Sequence, residues 1–106
     1  KYIDLYFEDD RGDLRVKDQV KNLVDFRYTN AVNAEAMDQL GEFDVVICRN
    51  VFSDFSQRGK ERMAENIYNI LVPGGVLLIA GKETLYNVTK AFRLQTFEKV
   101  VAYRKL

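Results

Sequence analysis

The chain has 106 residues, 47% of them hydrophobic, and its sixteen Lys and Arg are balanced by sixteen Asp and Glu. That length fits one small domain or part of a larger one, and the apolar share excludes a disordered chain. The balanced charge gives no overall field that favours nucleic acid or an anionic membrane surface. The lack of histidine removes imidazole acid–base chemistry and most zinc-site designs, and nothing else points to a metal.

Cys48 is the single cysteine, so no intrachain disulfide is possible, which fits a reducing compartment. The apolar runs are far too short for a membrane span, and the N-terminus lacks the basic-then-apolar layout of a signal peptide. A cytoplasmic protein without membrane insertion is expected, and the sequon Asn87-Val88-Thr89 is then accidental.

In chain order, "KYIDLYF" (1–7) has the composition of a helix end, and "EDDRGD" (8–13) of a polar turn broken by Gly12. "LRV" suits a short extended piece. Asp18 is expected to cap a short helix that buries Val20, Leu23 and Val24. "DFRYTN" (25–30) alternates Phe26 and Tyr28 with Arg27 and Thr29, the pattern of a strand with one wetter face. "AVNAEAMDQLGE" follows as a loop with a helical turn around Ala34 to Leu40.

"FDVVIC" (43–48) is apolar on both faces after Asp44, as in a strand inside a parallel sheet covered by helices. From Gln57 to Val72 the period changes. Met63, Ala64, Ile67, Tyr68 and Leu71 recur at helical spacing, with Lys60, Glu61, Glu65 and Asn66 on the other side and Ser56 as the cap. "PGG" (73–75) is expected to stop the helix before a second buried strand, "VLLIA" (76–80). Strand, helix, tight turn, strand is the crossover of a parallel α/β sheet. "FRLQTF" (92–97) and "VVAYRK" (100–105), separated by Glu98 and Lys99 alone, demand antiparallel pairing. The rings of Tyr68 and Phe97 are expected in the core.

Ligands of open α/β sheets sit beyond the carboxyl ends of the strands. Arg49 and Asn50 emerge there from "FDVVIC", the one with a rigid cationic fork and the other with a donor and an acceptor. The plain alternative is an Asn that fixes a turn and an Arg that pairs with a neighbouring carboxylate. On chemistry alone both readings stay open.

The run "FDVVICRNVFSDF", the helix after it and "LVPGGVLLIAGKETL" resemble the C-terminal half of the CheR-type chemotaxis receptor methyltransferases. Upstream, "YFEDDRGDLRVKDQVKNLVDFRYTN" is similar to that family in its Tyr-Phe, its Arg-Val-Lys before a short helix and its Phe-Arg strand ending in Asn. The closing "VVAYRK" matches the last strand. The resemblance implies an α/β fold: part of a Rossmann-like class I methyltransferase sheet, with parallel strands, a crossover helix and a C-terminal antiparallel hairpin, lacking the first two strands. Residues 1–106 would then be the C-terminal portion of a catalytic domain. The implied reaction moves a methyl group from S-adenosyl-L-methionine to a glutamate carboxylate of a chemoreceptor. Asn30 and Ala31 are implied as cofactor contacts at the end of their strand, with Arg49 and Asn50 as the second pair.

The chain departs from the family's pattern in three ways. It lacks the family's glycine-rich loop after the first strand and the acidic residue after the second, the features by which the family holds its cofactor. Asp54 stands where the family usually places a Tyr. Ala80-Gly81-Lys82-Glu83 replaces Gly-His-Ser-Glu, with only Glu83 kept. The segment alone is therefore expected to be inactive and to bind cofactor weakly, and the alternative function is a catalytically degraded protein-binding or regulatory module. Without the missing strands, "FDVVIC" would leave an open edge through which the segment is expected to rearrange or dimerise.

Overall fold

The computed structural model describes residues 2–49, 51–79, 84–98 and 100–106. Helix α1 (Tyr2–Tyr6) passes directly into strand β1 (Phe7–Asp10), which pairs antiparallel with β2 (Asp13–Val16). The stretch expected as a polar turn is thus mostly strand, and only Arg11 and Gly12, at φ of 54° and 92°, form the tip. Lys17 donates its backbone N–H to the Tyr6 carbonyl at 2.8 Å and its Nζ to the Asp4 carbonyl at 2.7 Å, which ties β2 back to α1.

Helix α2 (Asp18–Lys21) starts after Lys17, which makes no side-chain cap, so Asp18 is its first residue and not its N-cap. The Asp18 carboxylate instead accepts a hydrogen bond from Arg15 at 3.0 Å, which raises the guanidinium pKa above its ordinary value. Val20 is half-buried, but Leu23 and Val24 are 84% and 52% exposed, against the expected burial.

Residues 25–30 do not form the expected strand. No described strand pairs with them, and Phe26 and Tyr28 stand in solvent. A strand is stabilised by its neighbours, through ladder hydrogen bonds and cross-strand packing, so alternation alone cannot hold one. A cleft of about 590 Å³, with Leu23, Val24 and Arg27 on one side and Leu40 and Phe43 on the other, lies between this segment and the sheet.

The sheet has four strands: β3 (Phe43–Cys48), β4 (Leu71–Ile79), β5 (Arg93–Phe97) and β6 (Val100–Arg104), in the order β3-β4-β6-β5. β3 and β4 are parallel, and helix α4 (Gln57–Ile70) makes the crossover that such a pair requires. β5 and β6 form the expected antiparallel hairpin, which closes at Phe97 opposite Val100. Before the sheet, Asn33 caps the short helix α3 (Ala34–Asp38) by accepting the Ala36 N–H at 3.0 Å. Ser56 caps α4 as expected, accepting the Gly59 N–H at 3.1 Å.

The Pro73-Gly74-Gly75 run does not separate helix from strand. Leu71 already begins β4, and the glycines form an irregularity inside it, with Gly74 at φ 86° and a register shift opposite Phe43 and Val45. There the strand is clamped to the chain's end, since Gly74 N–H donates to the Lys105 carbonyl at 2.7 Å and Lys105 N–H to the Gly75 carbonyl at 2.9 Å. Ala80, the last residue of the predicted strand, lies outside the described residues.

Alternation divides the two faces of the sheet. Leu77, Val46, Cys48, Ile79 and Tyr103 pack with Met63, Ala64, Ile67 and Ile70 of α4 into one core. Val45 and Ile47, paired with Val76 and Leu78, face the other way and are 49% and 65% exposed. β3 is therefore an edge strand covered on one face only. Tyr68 is half-buried, edge-on to Phe92 at 5.3 Å, with the Lys105 ammonium 4.5 Å from its ring centre. Phe97 is not a core residue: it is 46% exposed, beneath the Arg104 guanidinium.

Candidate cofactor-binding site

Arg49 follows directly on β3, at the carboxyl end that β3 shares with β4, where Cys48 lies opposite Ile79. It is exposed, and among the described residues its guanidinium makes no hydrogen bond or ion pair. The plain alternative, pairing with a neighbouring carboxylate, is thus not what the structure shows for Arg49. Asn50 lies outside the described residues, as do Gly81, Lys82 and Glu83.

The chain beyond is pinned by aromatic burial. Val51 and Phe55 are half-buried against the core, and Phe52, only 2% exposed, anchors a single 3₁₀ turn, Phe52–Asp54. Asp54, at the end of that turn, points no buried charge at anything: it is exposed. This short anchored connection carries the chain from the Arg49 position to the Ser56 cap and so fixes the start of α4.

Asn30 and Ala31 are placed differently. Asn30 is exposed and its Oδ1 accepts the Val32 N–H at 3.1 Å, while its carbonyl accepts the Asn33 N–H at 3.0 Å. The turn-forming role of an Asn is therefore present. Its side-chain nitrogen makes no hydrogen bond among the described residues and is left to donate outward. Ala31 is half-buried against the core, and its carbonyl accepts a hydrogen bond at 2.9 Å from the side-chain nitrogen of Asn66.

Asn66 was expected on the polar side of its helix, but it is 5% exposed, the one buried polar side chain among the described residues. Its position carried the signal. It follows Met63 by three residues and precedes Ile70 by four, which puts all three on one helical face. Beside it runs a groove of about 300 Å³ between α4 and the chain at Val32 and Ala34, with Arg62 and Glu65 at its rim.

No hydrogen bond or ion pair among the described residues joins Asn30 or Ala31 to Arg49. The structure thus offers two separate polar contact points, an amide donor and a guanidinium, each anchored to the same α4-packed core. These groups suit parts of S-adenosyl-L-methionine: a polar heterocycle edge for the amide, an anionic or aromatic group for the guanidinium. Among the described residues no glycine-rich strand-to-helix turn completes a cradle, since Gly74 and Gly75 belong to β4. No described helix is long and apolar enough to cross a membrane.

Comparison with known proteins identifies the family. The chain is 36% identical over 101 residues to the chemotaxis protein methyltransferase of Vibrio anguillarum, which covers 94% of this chain and 36% of that protein. It is 37% identical over 101 residues to chemotaxis protein methyltransferase 1 of Vibrio cholerae, with the same coverage of 94% and 36%. With chemotaxis protein methyltransferase 1 of Pseudomonas aeruginosa it shares 33% identity over 93 residues, 88% of this chain and 33% of that one. The chain spans about a third of the length of the curated relatives it matches. A family model described as the CheR methyltransferase SAM-binding domain matches residues 1–101, and the chain belongs to that family.

Proposed function

We propose that residues 1–106 are the C-terminal portion of a methyltransferase that transfers a methyl group from S-adenosyl-L-methionine to glutamate carboxylates of chemoreceptors in the cytoplasm. The observation that carries the reading is Arg49: exposed at the carboxyl end of a parallel strand, without a side-chain partner among the described residues, in a chain of this family. When bound, the sulfonium cofactor supplies an activated methyl group, and a carboxylate is already a nucleophile. What remains for the protein is in-line positioning and exclusion of water, which needs no histidine. In this reading Arg49 and Asn50 hold one side of the cofactor, and Asn30 and Ala31 hold the other.

The exposed Phe26, Tyr28, Val45 and Ile47 support the view that further strands belong between residues 25–30 and β3. The same edge gives the isolated chain its self-association. Phe43–Cys48 contains neither Lys nor Pro to discourage pairing, so two copies join β3 to β3 antiparallel, as open edges do. Sedimentation of the 106-residue chain should give a dimer that Ile47→Lys returns to monomer. A wild-type monomer at high concentration would remove this assignment.

Calorimetric titration of S-adenosylhomocysteine into the full-length protein, with Arg49→Ala and Asn50→Ala alongside, tests the main reading. Weaker binding in both variants supports it. No binding by the folded wild type favours the degraded protein-binding module, a reading that Asp54 and the Ala80–Glu83 replacement also support.

A further inference from the structure

We propose that Asn66 is a positioning residue for the cofactor site, holding the Asn30–Ala31 loop at a fixed place along α4. The inference rests on the reading of Asn30 and Ala31 as cofactor contacts. Burying an amide side chain in an apolar helix face is unfavourable unless its hydrogen bonds are made, and Asn66 makes its bond to the main chain 35 residues away.

Among the described residues, the loop's other hydrogen bonds are local. Asn30 Oδ1 accepts from Val32, the Asn30 carbonyl from Asn33, and Asn33 Oδ1 from Ala36. They give the loop its shape but not its place. Among the described residues, the Asn66–Ala31 bond is the hydrogen bond that ties residues 30–32 to the rest of the molecule. No strand ladder substitutes for it, because residues 25–30 pair with no described strand.

Helix α4 then acts as a ruler between the two contact points. Its start is fixed by the Ser56 cap to the segment that leaves Arg49, and its third turn is fixed by Asn66 to Ala31. Ten residues separate Ser56 from Asn66, about 15 Å along a helix axis. Asn66 touches neither cofactor nor substrate in this account, and acts through the carbonyl it holds.

The test is a double-mutant cycle on S-adenosylhomocysteine affinity in the full-length protein, with Asn30→Ala, Asn66→Asp and the pair together. Asp is nearly isosteric with Asn but cannot donate when ionised. Asn66→Asp is expected to weaken binding about tenfold, and the double variant to bind no more weakly than the poorer single variant, the non-additivity of residues acting as a unit. Wild-type affinity in Asn66→Asp, or losses that simply add, would overturn the positioning role while leaving the site intact. If Asn30→Ala and Arg49→Ala bind as wild type, the cofactor reading itself fails.

Should Asn66→Asp not fold, the wild-type protein still decides. The Asn66 side-chain amide protons should exchange slowly with solvent and shift when S-adenosylhomocysteine binds. Fast exchange, or no shift on binding, would overturn the proposal.

Discussion

Residues 2–30 and residues 43–79 both carry apolar side chains at regular spacing, yet only the second region buries them. Among the described residues, every buried side chain lies at Met37 or beyond, whereas Leu5, Leu14, Leu23, Phe26 and Tyr28 are all exposed. The difference is the presence of a facing surface. In the second region β3, α4 and β4 present their apolar faces to one another. In the first, among the described residues, a hairpin and two short helices bury no side chain against a second layer. Pattern states which face a segment would bury, but burial needs a second face of matching shape.

The largest effects should therefore fall in the second region. Leu77→Ala removes a side chain with no exposure from the centre of the sheet, and a loss of about 2–5 kcal/mol is expected. Leu23→Ala, at 84% exposure, should shift stability by less than about 0.5 kcal/mol. Urea unfolding of both variants measures the contrast, and similar midpoints would break it.

Glycines sharpen the comparison next. A Cβ on Gly75 would sit 2.8 Å from the Val72 carbonyl oxygen and 3.1 Å from that of Asp44, backbone atoms held by the sheet. Gly75→Ala is expected to cost about 1–3 kcal/mol as an overpacked site. At Gly12 a Cβ meets nothing within 4 Å, and only the φ of 92° opposes it. About 1 kcal/mol is expected for Gly12→Ala, from backbone strain alone. The same unfolding assay separates them. An equal cost would mean that the hairpin tip is packed more tightly than its open surroundings indicate.

What was legible in the sequence follows the same division. The 3.6 period of Met63, Ala64 and Ile67 marked α4, the Ser56 cap marked its start, and the two-residue gap at Glu98 and Lys99 marked the hairpin. These are local signals whose partners stand close in the chain. The strand that alternation suggests at 25–30 does not form, because a strand depends on neighbours that the pattern does not name. Pro73-Gly74-Gly75 has the composition of a turn, but the Lys105 backbone clamps it into a strand from 30 residues away. Arg49 was placed by its strand. For Asn66 residue type and spacing conflict: an amide suggests the polar side, but its spacing puts it beside Met63 and Ile70, and the spacing prevails.

Ser56→Ala tests the joint between the Arg49 segment and α4. Loss of the hydroxyl that accepts the Gly59 N–H at 3.1 Å is expected to cost about 1 kcal/mol. The loss should appear as fraying of the first turn in amide exchange, before any change at Leu77. Unchanged exchange there would mean that Phe52 and Phe55 fix the helix start without the cap.

The smallest expected effect separates two accounts of the first region. Phe26 is 85% exposed, so Phe26→Ala should leave the unfolding midpoint of the 106-residue chain within about 0.5 kcal/mol of wild type. If residues 25–30 are a strand awaiting neighbours, the same substitution in the full-length protein removes a buried ring and should cost about 3–5 kcal/mol. The side chain and its sequence context are the same in both proteins. A large difference between the two measurements can arise only from what covers Phe26 in the longer chain. Equal and negligible costs would instead make residues 25–30 a surface segment in both, and the open edge of β3 a feature that no upstream strand relieves.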